Sequence, residues 1–195
     1  MVILKVGVLA LQGDFREHMN SLRKLKVTPI EVRTKEELDS VEGLIIPGGE
    51  STTIGKLLRK YNLDIEIKKK YNHGMPIYGT CAGAILLAKE IVDSKQPKMD
   101  LIDISVSRNA YGRQIDSFEA EISIPDSKKP FNAVFIRAPQ ITQIRNGVKI
   151  LSKYKKQPVL IRTDDILIST FHPELTEDTR VHEYFVKMIK ERHSS

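Results

Sequence analysis

The single cysteine of this 195-residue chain, Cys81, stands in the middle of Gly79-Thr80-Cys81-Ala82-Gly83, a G-x-C-x-G segment between an apolar run and a helical one. A sharp strand-to-helix turn needs small flanking residues, because a Cβ there would clash, and it projects its central side chain above the helix start. There the free N–H groups and the positive end of the helix dipole stabilise thiolate over thiol and supply donors for an oxyanion. A lone cysteine with no context is more simply a buried apolar residue. The paired glycines at a strand end are what favour a nucleophile.

Acyl transfer by a thiol needs a base and a group to orient it. Of the five histidines, His172 fits best: Phe171-His172-Pro173-Glu174 ends the last strand-like run, where a parallel sheet would present it beside Cys81. Glu174, past a proline that fixes the turn, can accept the proton on the ring nitrogen facing away from the thiol. His18, His182 and His193 fall on helical or terminal polar positions and His73 in a loop, so none of them is assigned chemistry.

A second glycine-rich segment, Pro47-Gly48-Gly49-Glu50-Ser51-Thr52-Thr53, closes a strand and opens a helix, with Ser51 able to cap it. It lacks the Lys-[Ser/Thr] ending of a Walker A loop and the spacing of a dinucleotide fingerprint. A capped turn explains it as well as an oxyanion-binding role does. Arg108 and Arg137 stand near strand ends in polar turns, where a guanidinium can hold a substrate carboxylate bidentately or can simply face solvent.

These residues need elements to bring them together. Apolar periodicity predicts strand Ile3–Leu11, helix Phe15–Lys26, strand Thr28–Arg33, helix Lys35–Ser40, strand Gly43–Pro47, helices across Thr52–Tyr71, strand Met75–Gly79 and helix Ala82–Ile91. That alternation argues for a mostly parallel sheet covered by helices on both faces, with the site at the carboxyl ends of the strands. The second half is richer in strand: Leu101–Ser107, Ser117–Ile124, Ala133–Arg137, Lys149–Ser152, Pro158–Arg162 and Ile166–Phe171. A last helix, Asp178–Arg192, should pack Val181, Tyr184, Phe185, Met188 and Ile189 on the sheet. With no repeat and no linker, residues 1–195 read as one domain.

Composition narrows the function classes. Hydrophobic residues at 41% and charged residues at 29% exclude a disordered or low-complexity chain. One cysteine excludes an internal disulfide framework and a multi-cysteine zinc site. No apolar run approaches the roughly 20 residues of a membrane span, and the N-terminus lacks the features of a signal peptide, so a cytoplasmic location is expected. The net charge of +6 raises nucleic acid as a partner. However, Lys68-Lys69-Lys70, Lys128-Lys129 and Lys155-Lys156 are short, scattered and free of interleaved aromatics, which suits a solvated surface better.

The segments together resemble the class I, triad-type glutamine amidotransferases, and within them the SNO/PdxT family of glutaminase subunits of pyridoxal 5'-phosphate synthase. The likeness rests on residues 7–18 (GVLALQGDFREH), residues 47–53 (PGGESTT), the cysteine elbow, residues 108–114 (RNAYGRQ), residues 135–139 (FIRAP) and residues 171–176 (FHPELT). It spans nearly the whole chain. The elbow and His-Pro-Glu are shared across the wider group, and the other segments are specific to the vitamin B6 branch. The chain departs from the usual pattern at residues 92–100, where Leu-Gly is common near Met99-Asp100.

The resemblance implies a three-layer α/β/α fold of flavodoxin-like type. It implies Cys81 as nucleophile, His172 as general base and acid, and Glu174 as the residue that orients it. Glutamine contacts carry over to Gly49, Glu50, Ser51, Arg108, Ile136 and Arg137, and the oxyanion donors to Gly49 and Ala82. L-Glutamine is the implied substrate, with no cofactor and no metal. The implied partner is a PdxS/SNZ-type synthase subunit in a large hetero-oligomer that receives the ammonia. The residues themselves leave open a thiol hydrolase acting on another amide, and a non-catalytic binding subunit.

Overall fold

The structure, a computed structural model, describes residues 4–108 and 117–194. Its first half runs β1 (Lys5–Leu9), α1 (Phe15–Lys24), β2 (Thr28–Val32), α2 (Lys35–Asp39), β3 (Gly43–Ile46), α3 (Ser51–Lys60), α4 (Leu63–Asn72), β4 (Ile77–Thr80) and α5 (Ala82–Leu87). The second half runs β5 (Ala88–Ile91), β6 (Ile102–Ser107), β7 (Ser117–Ile122), β8 (Phe131–Ile136), β9 (Gln140–Ile144), β10 (Lys149–Tyr154), β11 (Gln157–Arg162), β12 (Ile166–Ser169), a 3-10 turn (Pro173–Leu175) and α6 (Arg180–His193).

The main sheet has the order β10-β11-β12-β4-β3-β1-β2. From β12 to β2 every pairing is parallel, while β10 and β11 extend one edge antiparallel. A parallel strand covered on both faces needs apolar residues on both, and Leu44-Ile45-Ile46 and Ile166-Leu167-Ile168 supply them, all fully buried. Alternate residues enter different cores. Leu44, Ile46, Ile166 and Ile168 pack with residues of α3, α4 and α5, whereas Ile45 and Leu167 pack with α1 and α6. The result is the three-layer α/β/α architecture with a mostly parallel sheet.

Two smaller sheets are added to these layers. β5, β6 and β9 form one, which delivers Ile91, Ile104, Val106 and Ile141 to the α5 core. The β7–β8 hairpin forms the other and brings Phe131 and Phe135 to the α6 core. Among the described residues no helix is long and apolar enough to cross a membrane.

Four local expectations are corrected. The helix after Cys81 ends at Leu87, and Ala88–Ile91 is a strand paired in parallel with β6; an apolar run does not by its pattern distinguish buried helix from buried strand. β9 was not expected and exists through its antiparallel pairing with β6. The buried face of α6 is Val181, His182, Phe185, Val186, Met188 and Ile189, so it includes His182 and leaves Tyr184 only partly covered. Finally, Glu50, not Ser51, is the N-cap of α3.

The departure at Met99-Asp100 also has a local reason. Asp100 has φ 57°, the left-handed region that glycine enters freely and aspartate tolerates better than most residues. Asp100 thus takes a backbone conformation that a glycine would adopt without strain. Met99 N–H then donates to the Leu86 carbonyl at 2.7 Å and Leu101 N–H to Leu87 at 2.9 Å, docking this segment along the end of α5.

Candidate active site

Cys81 lies between β4 and α5 with φ 48° and ψ −99°, a combination rarely adopted by a side-chain-bearing residue. Such backbone costs about 1–3 kcal/mol and persists only where its surroundings over-determine it. Here the Cys81 N–H donates to the Ser169 carbonyl at 2.9 Å, and the Cys81 carbonyl accepts from Ile85 N–H at 3.3 Å. The glycines of the motif allow the close approach: a Cβ on Gly83 would lie 2.2 Å from the Ile46 carbonyl oxygen, and one on Gly79 would lie 2.8 Å from the Gly83 carbonyl carbon. The spacing G-x-C-x-G is thus set by how tightly α5 begins against β3 and β4.

His172 comes from the neighbouring strand. Ser169, the last residue of β12, pairs with Thr80, the last of β4, so the chain leaving β12 passes beside Cys81. The His172 N–H donates to the Val134 carbonyl at 2.8 Å, and Pro173 starts the 3-10 turn that returns Glu174. His172 Nδ1 donates to Glu174 Oε1 at 2.6 Å, with the Glu174 side chain fully buried. Burial disfavours a charged imidazole, but hydrogen bonds and charge from Cys81 and Glu174 outweigh it and hold His172 up at about 11. For Glu174, burial pushes the carboxyl above its ordinary range and the imidazole pulls against that.

Cys81 and His172 thus share one site, with Glu174 bonded behind the imidazole. They sit at a cavity of about 540 Å³ lined by Asp14, Gly49, Glu50, Ser51, Cys81, Ala82, Ile85, Arg108, Ile136, Arg137, His172 and Leu175. Every site residue expected from the sequence lines this cavity except Glu174, which stands behind His172. The cysteine sulfur also lies 3.8 Å from the Ile136 carbonyl oxygen.

The opposite rim is held by α3. The Glu50 carboxylate accepts from Thr53 Oγ1 at 2.6 Å and from the N–H groups of Thr52 and Thr53 at 3.0 and 2.7 Å. The Thr53 hydroxyl and these N–H groups outweigh partial desolvation and bring the acid down to about 2, so Glu50 is a fixed anion. Arg108 reaches the same place, with Nη2 3.5 Å from Glu50 Oε1 and Nη1 donating to Thr52 Oγ1 at 3.3 Å. Ser51 donates to Gln96 Oε1 at 3.0 Å. Arg137 has φ 42° and lines the cavity from the end of β8. Of the segment at residues 108–114, only Arg108 is among the described residues.

Some residues near the site were not singled out from the sequence. Asp14 Oδ2 is 3.6 Å from His172 Nδ1, and burial raises its carboxyl while His172 opposes the rise. Asp14, His172 and Glu174 offer ligand atoms within 4.8 Å of one another, but the 2.6 Å bond to Glu174 already occupies Nδ1. Gln12 Oε1 accepts from Glu50 N–H at 2.8 Å. His18 and His182, read from the sequence as polar helical positions, are fully buried behind Glu174. Their spacing carried the signal: Phe15, His18, Met19 and Leu22 fall on one face of α1, as His182, Phe185, Val186 and Ile189 do on α6.

Residues 8–191 match the SNO glutamine amidotransferase family. The chain belongs to that family. A pyridoxal 5'-phosphate synthase subunit PdxT of Thermosipho africanus is 52% identical over 187 residues, covering 96% of this chain and all of the relative. One from Carboxydothermus hydrogenoformans is 50% identical, with 95% of this chain and 98% of the relative covered. A crystal structure titled as a glutamine amidotransferase superposes with TM-score 0.91 at 49% identity over 95% of this chain and 98% of the other. Family membership fits the cavity, whose floor carries a thiol and an imidazole, with a carboxylate bonded behind the imidazole.

Proposed function

We propose that this chain hydrolyses L-glutamine to L-glutamate and ammonia, and that the ammonia passes to a PdxS-type synthase subunit for pyridoxal 5'-phosphate formation within a hetero-oligomer. The observation that carries the reading is that Cys81 and His172 line one cavity that also holds an arginine, with Glu174 bonded at 2.6 Å to the far side of His172. Relatives of similar length are named as subunits of pyridoxal 5'-phosphate synthase, which supports a partnered ammonia donor. A reactive thiol works best where it stays reduced, and the reading puts the enzyme in the cytoplasm.

In this mechanism the Cys81 sulfur attacks the side-chain amide carbon of glutamine, with the thiol proton held on His172. The carbonyl oxygen takes up the negative charge and is met by backbone N–H groups of Gly49 and Ala82. Ala82 is the first residue of α5, so its N–H has no acceptor inside the helix. The imidazolium then gives its proton to the departing nitrogen, the C–N bond breaks, and ammonia leaves a γ-glutamyl thioester. Neutral His172 next takes a proton from water, hydroxide adds to the thioester, and the C–S bond breaks to release glutamate and thiolate. Glu174 holds the imidazole in the tautomer that serves both steps. Arg108 and Arg137 receive the α-carboxylate, and Glu50, Ser51 and Ile136 complete the pocket.

The test is glutamate release from glutamine by the purified chain, alone and with the synthase subunit, beside casein and small amides. Release from glutamine with the synthase present, and none from the other substrates, is expected. Turnover of peptides in place of glutamine would make the chain a general thiol hydrolase.

A further inference from the structure

Glu174 spends only one carboxylate oxygen on His172. Its Oε2 is buried and has no hydrogen-bond partner among the described residues, and Nε2 of His18 lies 3.6 Å from it, both side chains fully buried. The same His18 Nε2 is 3.1 Å from Thr80 Oγ1, and its Nδ1 is 2.9 Å from His182 Nε2. His182 Nδ1, at the far end, likewise has no hydrogen-bond partner among the described residues. Behind the three catalytic side chains there is therefore a second, buried row made of two imidazoles.

Burial keeps both of these rings neutral, His18 well below the ordinary histidine range and His182 at about 4. A neutral pair sharing one hydrogen bond has two arrangements. In one, His18 Nδ1–H donates to His182, which turns a bare His18 nitrogen toward the carboxylate and buries an N–H on His182 with no acceptor. In the other, His182 Nε2–H donates to His18 Nδ1, and His18 Nε2–H faces Glu174 Oε2 and Thr80. The first sets a lone pair against an anion and orphans a donor; the second orphans no donor and turns an N–H toward the carboxylate. The charge on Glu174 selects the second.

We propose that His18 is a positioning residue for the triad: its Nε2–H tautomer, set by His182, holds the free oxygen of Glu174 so that the other meets His172. The contact to Thr80 ties the same ring to the residue before the nucleophile. The inference rests on the glutaminase reading for its kinetic consequence, but the tautomer itself can be read without substrate.

Nitrogen NMR of the full chain labelled in histidine should find His18 protonated at Nε2 and bare at Nδ1, with His182 protonated at Nε2. The reverse tautomer, or a charged His18 at neutral pH, overturns the proposal. Kinetics with the synthase subunit present supply the second arm. His18→Gln keeps a donor near the Nε2 position, His18→Asn moves it to the Nδ1 position, and His18→Leu removes it. The glutamine variant should stay within about threefold of the parent kcat, while the other two lose about 10- to 100-fold, with KM nearly unmoved in all three. Equal losses in all three, or losses in KM with kcat intact, overturn it. Should the variants fail to fold, the NMR arm on the parent chain decides. A parent chain that shows no glutamine turnover would sink the glutaminase reading alone.

Discussion

The two walls of the cavity differ in how they are held. On one side, Cys81, His172 and Glu174 are at most 7% exposed and hang from the central strands β4 and β12. On the other, Glu50 caps α3, Ile136 ends β8, and Arg108 and Arg137 follow β6 and β8; Glu50, Ile136 and Arg137 are exposed. The first wall is fixed by short buried bonds and tight backbone contact, and the second by a cap and half-exposed charges. Chemistry that depends on a bond of 2.6 Å needs the first kind of support. Recognition of a small amino acid through its charges can rest on the second.

If that division is right, substitutions on the two walls should fail in different kinetic constants. Cys81→Ala should fold and lower kcat by about 10⁴-fold or more, since nothing else on the floor can form the thioester. Glu174→Gln should cost about 10²- to 10³-fold in kcat, because an orienting acid contributes less than the nucleophile. Equal losses would mean that Glu174 does more than orient. Arg108→Ala should raise KM about tenfold and leave kcat nearly unchanged, the pattern of a lost binding contact. Steady-state glutamate release separates all three, and a kcat effect at Arg108 would blur the distinction between the walls.

A further effect concerns stability rather than turnover. His18 and His182 are neutral when folded and take up protons below about 6.5 when unfolded. The unfolded state then binds more protons, so stability falls as pH drops from 6.5 toward 4, by about 1.4 kcal/mol per pH unit per histidine. His172 has the opposite sign. Its raised folded-state value contributes stability that is complete below 6.5 and lost as pH climbs through about 11. Urea unfolding across pH 4–7, compared between the parent chain and His182→Leu, measures the first effect directly; equal slopes would contradict it.

The front of the site was legible in the sequence because each piece is a short linear motif at a strand end. Gly79 to Gly83 and Phe171 to Glu174 announce a nucleophile and its base, and the alternation of the first half places both at one edge of a parallel sheet. The back of the site was not. His18 and His182 are 164 residues apart in sequence and meet only through packing of α1 and α6 on the same face of the sheet. Their positions on apolar helical faces were visible, but a histidine's polarity masked them. The switch from α5 to β5 at Ala88 depends on β6, more than a dozen residues away, and no local pattern encodes that pairing.

The triad depends most on the charge of one ring. Nitrogen NMR of His172 across neutral pH, in the parent chain and in Cys81→Ala, reads it directly. Both ring nitrogens should carry protons in the parent from pH 6 to 9, as a value of about 11 requires, and the value should fall when the sulfur is removed. A His172 that titrates near 6.5, unchanged by the loss of Cys81, would contradict it.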